Sequence, residues 1–417
     1  MTQWNRRQWM TTGVSGLWLA LNAGVRGQAE LTREQRWRAD LQHLADELPK
    51  RHPNLFFKLK REVFDREVAA LNDAIPKLSD GETKAALIRL VASIGDGHTS
   101  IRWSPERFYP ISFYQFGNDL HVIAAAEEYG QTVGMRLAKI GSQPIEKAKA
   151  ILSEVISHDN DQWLKAQLPS VLPAADLLFS LRLLPAATEG RFLFADAGGG
   201  EYAVTLKAVA PDAKVTYSRA LDPAKAPLYL RKQEQNYWYE YLPAVKTLYL
   251  NYNRCQEMKD RPFKPFAEEI LAFVEANAIE RFVIDLRRNG GGSESVFFPL
   301  LFKLREHPKL DRKGRLFVVI GRRTFSSGFG NARSLKSSTQ AILIGEPTGQ
   351  KPNAFGEVRN FQLPHSKLTV NHSTKFWKRM EGDPQTLAPD IAVEPTFADY
   401  AAGRDPVLDA ILRYPAK

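Results

Sequence analysis

Ile284-Asp285-Leu286-Arg287-Arg288-Asn289-Gly290-Gly291-Gly292 is the stretch on which the reading of this chain turns. An apolar strand runs into three glycines, and glycine lets consecutive backbone N–H groups turn toward one point. Acyl transfer needs that arrangement as an oxyanion hole. A second strand end follows at Ile320-Gly321-Arg322-Arg323-Thr324-Phe325-Ser326-Ser327-Gly328. There a serine pair opens a helix, where developing negative charge is favoured. Taken singly, a triple glycine is a turn and a serine pair before a helix is an N-cap. Placed after two strands of one unit, they point to a shared site.

Working outward, strand and helix patterns alternate. Strands are predicted at Thr247–Tyr252, Phe282–Leu286, Leu316–Ile320 and Ala341–Ile344. Helices are predicted over Pro265–Glu275, Ser295–Glu306 and Ser327–Leu335. Repeated strand–helix units imply an α/β domain with a mostly parallel sheet, which carries its chemistry at the carboxyl ends of the strands. Upstream, Leu41, Leu44 and Leu48, then Leu71, Ile75 and Leu78, repeat at helical spacing, and Ser79-Asp80-Gly81-Glu82 is a helix-start signal. Between the two regions, Ile111–Ala125 and Tyr202–Leu206 have strand texture. The expected division is 1–29 signal peptide, 30–100 helical domain, 101–235 β-rich region and 236–417 catalytic core.

The composition sets limits. The chain has 417 residues, 44% hydrophobic and 25% charged, which excludes a disordered or collagen-like protein. Its net charge of +10 is modest for the length and does not by itself indicate nucleic-acid binding. The basic run Lys303, Arg305, Lys309, Arg312, Lys313 and Arg315 is broken by Glu306 and Asp311 and has no stacking aromatics, so a nucleic-acid partner is not expected. Cys255 is the one cysteine, which excludes an intramolecular disulfide and thiolate zinc clusters. The histidines show no His-Glu-x-x-His spacing, and neither a metal nor another cofactor is expected.

The first 29 residues contain no acid. Arg6-Arg7 precede a weakly apolar stretch, and Gly27-Gln28-Ala29 supplies small residues for cleavage. The arginine pair points to twin-arginine export to the periplasm or beyond. Cleavage there would remove three arginines and leave no membrane-spanning run in the mature chain.

Four motifs in order resemble the tail-specific serine peptidases, a superfamily that includes the C-terminal-processing proteases, the tricorn core and the interphotoreceptor retinoid-binding proteins. They are Asp285 to Gly292, Thr324-Phe325-Ser326-Ser327, Gly345-Glu346-Pro347-Thr348-Gly349 and Pro389-Asp390-Ile391. Ile94-Gly95-Asp96-Gly97-His98-Thr99 looks like a motif of tricorn-like members. The resemblance implies a crotonase-like (ClpP-like) α/β core, an N-terminal helical domain and a PDZ-like module. That module is degenerate: Leu137-Ala138 stands where Gly-Asp is expected, and Gly141-Ser142 where Asn-Gly is expected.

The resemblance also assigns roles. Ser326 aligns with the nucleophile, 25 residues before Lys351 as in the processing branch. The N–H groups of Gly290, Gly291, Gly292 and Ser327 would form the oxyanion hole. A serine hydroxyl needs a base, and two are available, His98 from the tricorn pattern and Lys351 from the processing pattern. His98 is favoured, because histidine titrates near neutrality unaided while lysine must be desolvated, and Pro352 departs from the processing pattern. Glu381 and Asp383 are the candidates for an acidic partner. His158-Asp159-Asn160-Asp161 reads as a polar loop. The expected activity is peptide hydrolysis on peptide or protein substrates. The alternative is a non-proteolytic member that binds a peptide or an apolar ligand.

Overall fold

The computed structural model describes residues 30–415, and the export signal expected over residues 1–29 lies outside them. The chain opens with helices Arg33–Arg51, Arg61–Ala74 and Asp80–Ala92. The first and third begin on capping boxes, Thr32 with Gln35 and Ser79 with Glu82, so each start is fixed by paired side-chain and backbone hydrogen bonds. Leu41, Leu44 and Leu48 are buried, as their spacing predicts. They pack into the same apolar cluster as Val122, Ile140, Phe192 and Leu206 of the following sheet. The helices and the β-rich region thus share one core. That sheet is antiparallel, built along Ile111–Phe116, Asp119–Ala126, Arg136–Ile140, Glu189–Ala195 and Glu201–Lys207.

From residue 237 a six-stranded sheet forms. Its order is Ile391–Ala392, Ile342–Gly345, Leu316–Ile320, Arg281–Asp285, Thr247–Tyr252 and Tyr237–Leu242. Neighbours pair in parallel except the last strand, which is antiparallel. Successive residues of one strand face opposite sides. Phe282 and Ile284 join a cluster with Phe266 and Ile270 of helix Phe263–Ala276 and with Phe329 and Leu335 of helix Ser327–Ser338. Val283 joins Phe317 and Ile344 against Val407 and Ile411 of helix Pro406–Arg413. Burial on both faces explains why these strands read as continuous apolar runs. The helix expected over Ser295–Glu306 is shorter: a 3₁₀ turn at Glu294–Phe297 leads into Phe298–Leu304.

A three-stranded antiparallel sheet joins the two ends of the chain. Strands Ala354–Gln362 and Thr369–Trp377 form a hairpin, and Ser100–Arg102 adds to its edge with Ser100 opposite Asn371. The hairpin tip is tied to the first helix by Asp40. Its buried carboxylate accepts from the N–H groups of His365 at 2.8 Å and Ser366 at 2.7 Å.

Hydrogen bonds to a charged acceptor are among the stronger ones, so Asp40→Ala should lower the unfolding free energy by about 2–4 kcal/mol. A urea titration reads this as a lower midpoint at unchanged slope. An unshifted midpoint would mean that other contacts hold the hairpin tip.

Candidate active site

Ser326 stands between strand Leu316–Ile320 and helix Ser327–Ser338 with φ 51° and ψ −124°. A non-glycine residue at positive φ is a strained turn that the surroundings must hold. Here they do. Thr324 Oγ donates to the Leu286 carbonyl at 2.8 Å and accepts from the Gly321 N–H at 3.0 Å. Phe325 N–H donates to the Asn289 carbonyl at 3.0 Å. The Ser326 N–H donates to the Gln350 side-chain oxygen. Such a turn is the kind that carries a serine off a strand end at the start of a helix.

The glycine loop lies against it. A Cβ built on Gly291 would sit 2.6 Å from Ser326 Cβ, so only glycine allows this approach. The Gly291 N–H departs from expectation, because it donates to the Asn289 side-chain oxygen at 2.9 Å and is not free for a substrate. The Asn289 amide in turn donates to the Tyr252 carbonyl at 2.8 Å, so this fully buried side chain fixes the loop from within. Among the described residues the N–H groups of Gly290, Gly292 and Ser327 have no protein acceptor, and the Ser327 hydroxyl donates to the Gly292 carbonyl at 2.8 Å.

His98 arrives from 228 residues upstream because Ser100–Arg102 pairs with the hairpin. Its ring stacks on Phe325, the neighbour of Ser326, with centroids 4.5 Å apart. Trp163 stacks on the same Phe325 at 4.0 Å. The turn that carries His98 is organised by Asp96. The buried Asp96 carboxylate accepts from the His98 N–H at 3.0 Å, from Thr99 Oγ at 2.5 Å and from Ser373 Oγ at 2.7 Å, and it meets His52 Nε2 at 3.1 Å. Burial alone would raise its pKa, but the His52 hydrogen bond, the nearby His98 and the two hydroxyls overcome it and hold it at about 2. His98 Nδ1 lies 4.0 Å from an Asp96 oxygen, and both ring nitrogens lack hydrogen-bond partners. Burial lowers the His98 pKa from its usual value, with the Asp96 charge acting in the other direction. The imidazole is therefore neutral at pH 7 and can accept a proton.

Lys351 is held by Asp383. Its side-chain nitrogen is 2.7 Å from the Asp383 carboxylate. The hydrogen bond from Lys351 lowers the Asp383 pKa. Glu381 is exposed, and neither it nor Asp383 hydrogen-bonds to a histidine. The carboxylate beside His98 is Asp96.

The polar loop also places Asp159 here, which its sequence did not announce. Asp159 accepts from the Gly97 N–H at 2.6 Å, while its other oxygen is shielded and has no partner. Burial, and then the Asp96 charge, raise its pKa to about 7. Asp159, Asp96, Lys351 and the rings of Phe57, Phe355 and Phe376 line a cavity of about 690 Å³.

No family model matches the sequence, and no curated protein matches it. Among solved structures, mature CPAF in complex with lactacystin superposes over 91% of this chain and 98% of its own, with TM-score 0.65 and 14% identity. The photosystem II D1 C-terminal processing protease matches over 90% of this chain and 99% of its own, with TM-score 0.40 and 14% identity. Tricorn protease matches over 92% of this chain and 36% of its own, with TM-score 0.46 and 13% identity. At that identity the CPAF likeness establishes a fold, and the lower scores of the other two add nothing finer. This chain has the fold of mature CPAF.

Proposed function

We propose that the protein is a serine peptidase in which Ser326 attacks the scissile carbonyl and His98 takes its proton. The observation that carries this reading is the convergence on Phe325–Ser326. A strained serine turn, a glycine loop in contact with it and a neutral buried histidine come from three distant segments. The acyl-enzyme would form as the Ser326 oxygen bonds to the substrate carbonyl carbon and the amine leaves with the proton from His98. The free N–H groups of Gly290, Gly292 and Ser327 are the donors available to the oxyanion. No hydrogen bond joins His98 to Ser326. Catalytic hydrogen bonds of this kind often form only with substrate in place. Asp96 takes the part of the acidic partner, in place of Glu381 and Asp383.

In this reading the six-stranded sheet is the crotonase-like core, and the sheet over residues 111–207 with helix Ile145–Ser153 is the degenerate PDZ-like module. Peptides or proteins are the substrates. Among the described residues no helix is long and apolar enough to cross a membrane. Export to the periplasm rests on the arginine pair and small residues of the first 29 positions. The binder alternative shares the fold but has no use for an activated serine.

A fluorophosphonate probe should label the parent at Ser326 and fail on Ser326→Ala, which should also lose on the order of 10⁴-fold or more in peptide hydrolysis. Absence of labelling in a folded parent would favour a binding protein. Hydrolysis should rise with pH through one ionisation below histidine's usual ~6.5, since burial lowers the His98 pKa and the neutral ring is the base. His98→Ala should erase that limb and cost roughly 10²–10⁴-fold, while Lys351→Ala keeps it. A dead Lys351→Ala with an unchanged limb in His98→Ala would make lysine the base.

The three glycines should separate in a second series. Gly290 has open space, so Gly290→Ala should stay folded and active. Gly291→Ala pushes on Ser326 and should cost on the order of 100-fold in kcat. Gly292→Ala runs into the Cys255 backbone and should lower the melting temperature. Equal tolerance at all three would remove the loop from the site.

A further inference from the structure

A second cavity, of about 620 Å³, opens where the β-rich region meets the carboxyl ends of the core strands. Its wall carries arginines immediately upstream of both catalytic loops, Arg288 before the glycines and Arg323 before the serine pair, with Arg219 across from the β-rich region. Three further arginines of the wall are neutralised, Arg231 by Glu240 at 3.9 Å. Arg287 makes two hydrogen bonds to Asp405, at 3.0 and 2.9 Å, and lies 2.8 Å from Asp285. Arg322 lies 2.8 Å from Glu346 and 3.6 Å from Glu394. Among the described residues Arg219, Arg288 and Arg323 have no carboxylate within ion-pair distance, and Arg288 touches only the neutral Gln233 side chain at 2.8 Å.

The three free guanidiniums line this one cavity together with Tyr114 and Tyr400. Arg323 lines the cavity and stays exposed to solvent, and partial desolvation, then the charges of Arg288 and Arg322, lower its pKa from the usual arginine value. Like charges held together without counter-ions cost free energy that a bound anion recovers. Around them the phenol hydroxyls of Tyr114, Tyr229 and Tyr400 have no hydrogen-bond partner among the described residues and are further donors. Guanidinium forks match carboxylate and phosphate geometry, and the volume is that of a small-molecule site.

We propose that this cavity binds a compact ligand bearing two or more carboxylate or phosphate groups, with Arg219, Arg288 and Arg323 as its counter-charges and the rings of Tyr114, Tyr229 and Tyr400 as its walls. A ligand bridging Arg288 and Arg323 spans the two loops that lead to the glycines and to Ser326. The site stands apart from the proposed chemistry and is testable without it.

The test is calorimetric titration of the full chain carrying Ser326→Ala, which removes cleavage, with inorganic pyrophosphate and separately with a capped Glu-Glu dipeptide. Saturable binding of at least one is expected, weakening as salt rises, and at least about tenfold weaker once Arg288→Gln and Arg323→Gln are added. Binding of pyrophosphate alone marks the ligand as a phosphate compound, and binding of the dipeptide alone marks it as an acidic peptide segment. Without ligand, the double arginine substitution should melt no lower than its parent, since it removes repelling charges and no ion pair. The proposal falls if neither titrant saturates, or if the double substitution binds as tightly as the parent.

Discussion

One buried carboxylate, Asp96, holds distant parts of this chain together beside the proposed site. It accepts hydrogen bonds from the His98 backbone, Thr99 and Ser373 and meets the His52 imidazole, so three segments, the end of the first helix, the turn and the hairpin, converge on one ion. An ion taken out of water is tolerated only when its lone pairs are filled. That requirement makes the arrangement specific: the hairpin must return, the first helix must pack against it, and the turn must carry His98 into contact with Phe325. A helical domain at one end of the sequence and an α/β core at the other thereby become parts of one structure.

The core and its loops were legible because their signals are local. Strand Leu316–Ile320 lies where its apolar run places it, and the glycine and serine motifs occupy the ends of neighbouring strands. Helix boundaries moved by a few residues where packing decided them, as at Ser327–Ser338. What the sequence hid is what depends on distant partners. The hairpin Ala354–Gln362 with Thr369–Trp377 has its register fixed partly by Ser100–Arg102, and nothing near residue 370 announces that strand. Asp159 sat in a run of polar residues that reads as solvent-exposed, and only its contact with Gly97 brings it into the site.

The site itself was half legible. Residue type and order point to Ser326, and the proposal of His98 rather than Lys351 as base is supported by the contact between Lys351 and Asp383. The donor set was not legible. Gly291 looks equivalent to its neighbours in sequence, yet its N–H is taken by Asn289, and its role is to let Ser326 approach. Equally, Glu381 and Asp383 are acidic and near the end of the core but face solvent, while Asp96 carries no signal in the sequence beyond its place in the motif around His98.

The central claim is that the Asp96 cluster sets His98 for work at Ser326. It is tested most directly by the rate at which a fluorophosphonate labels Ser326 in Asp96→Asn, compared with the parent and with His98→Ala, after circular dichroism has established that the variant is folded. The account predicts labelling slowed to near the His98→Ala rate, because an amide cannot fill the place of a carboxylate that accepts from so many donors. A folded Asp96→Asn that labels as fast as the parent would contradict it.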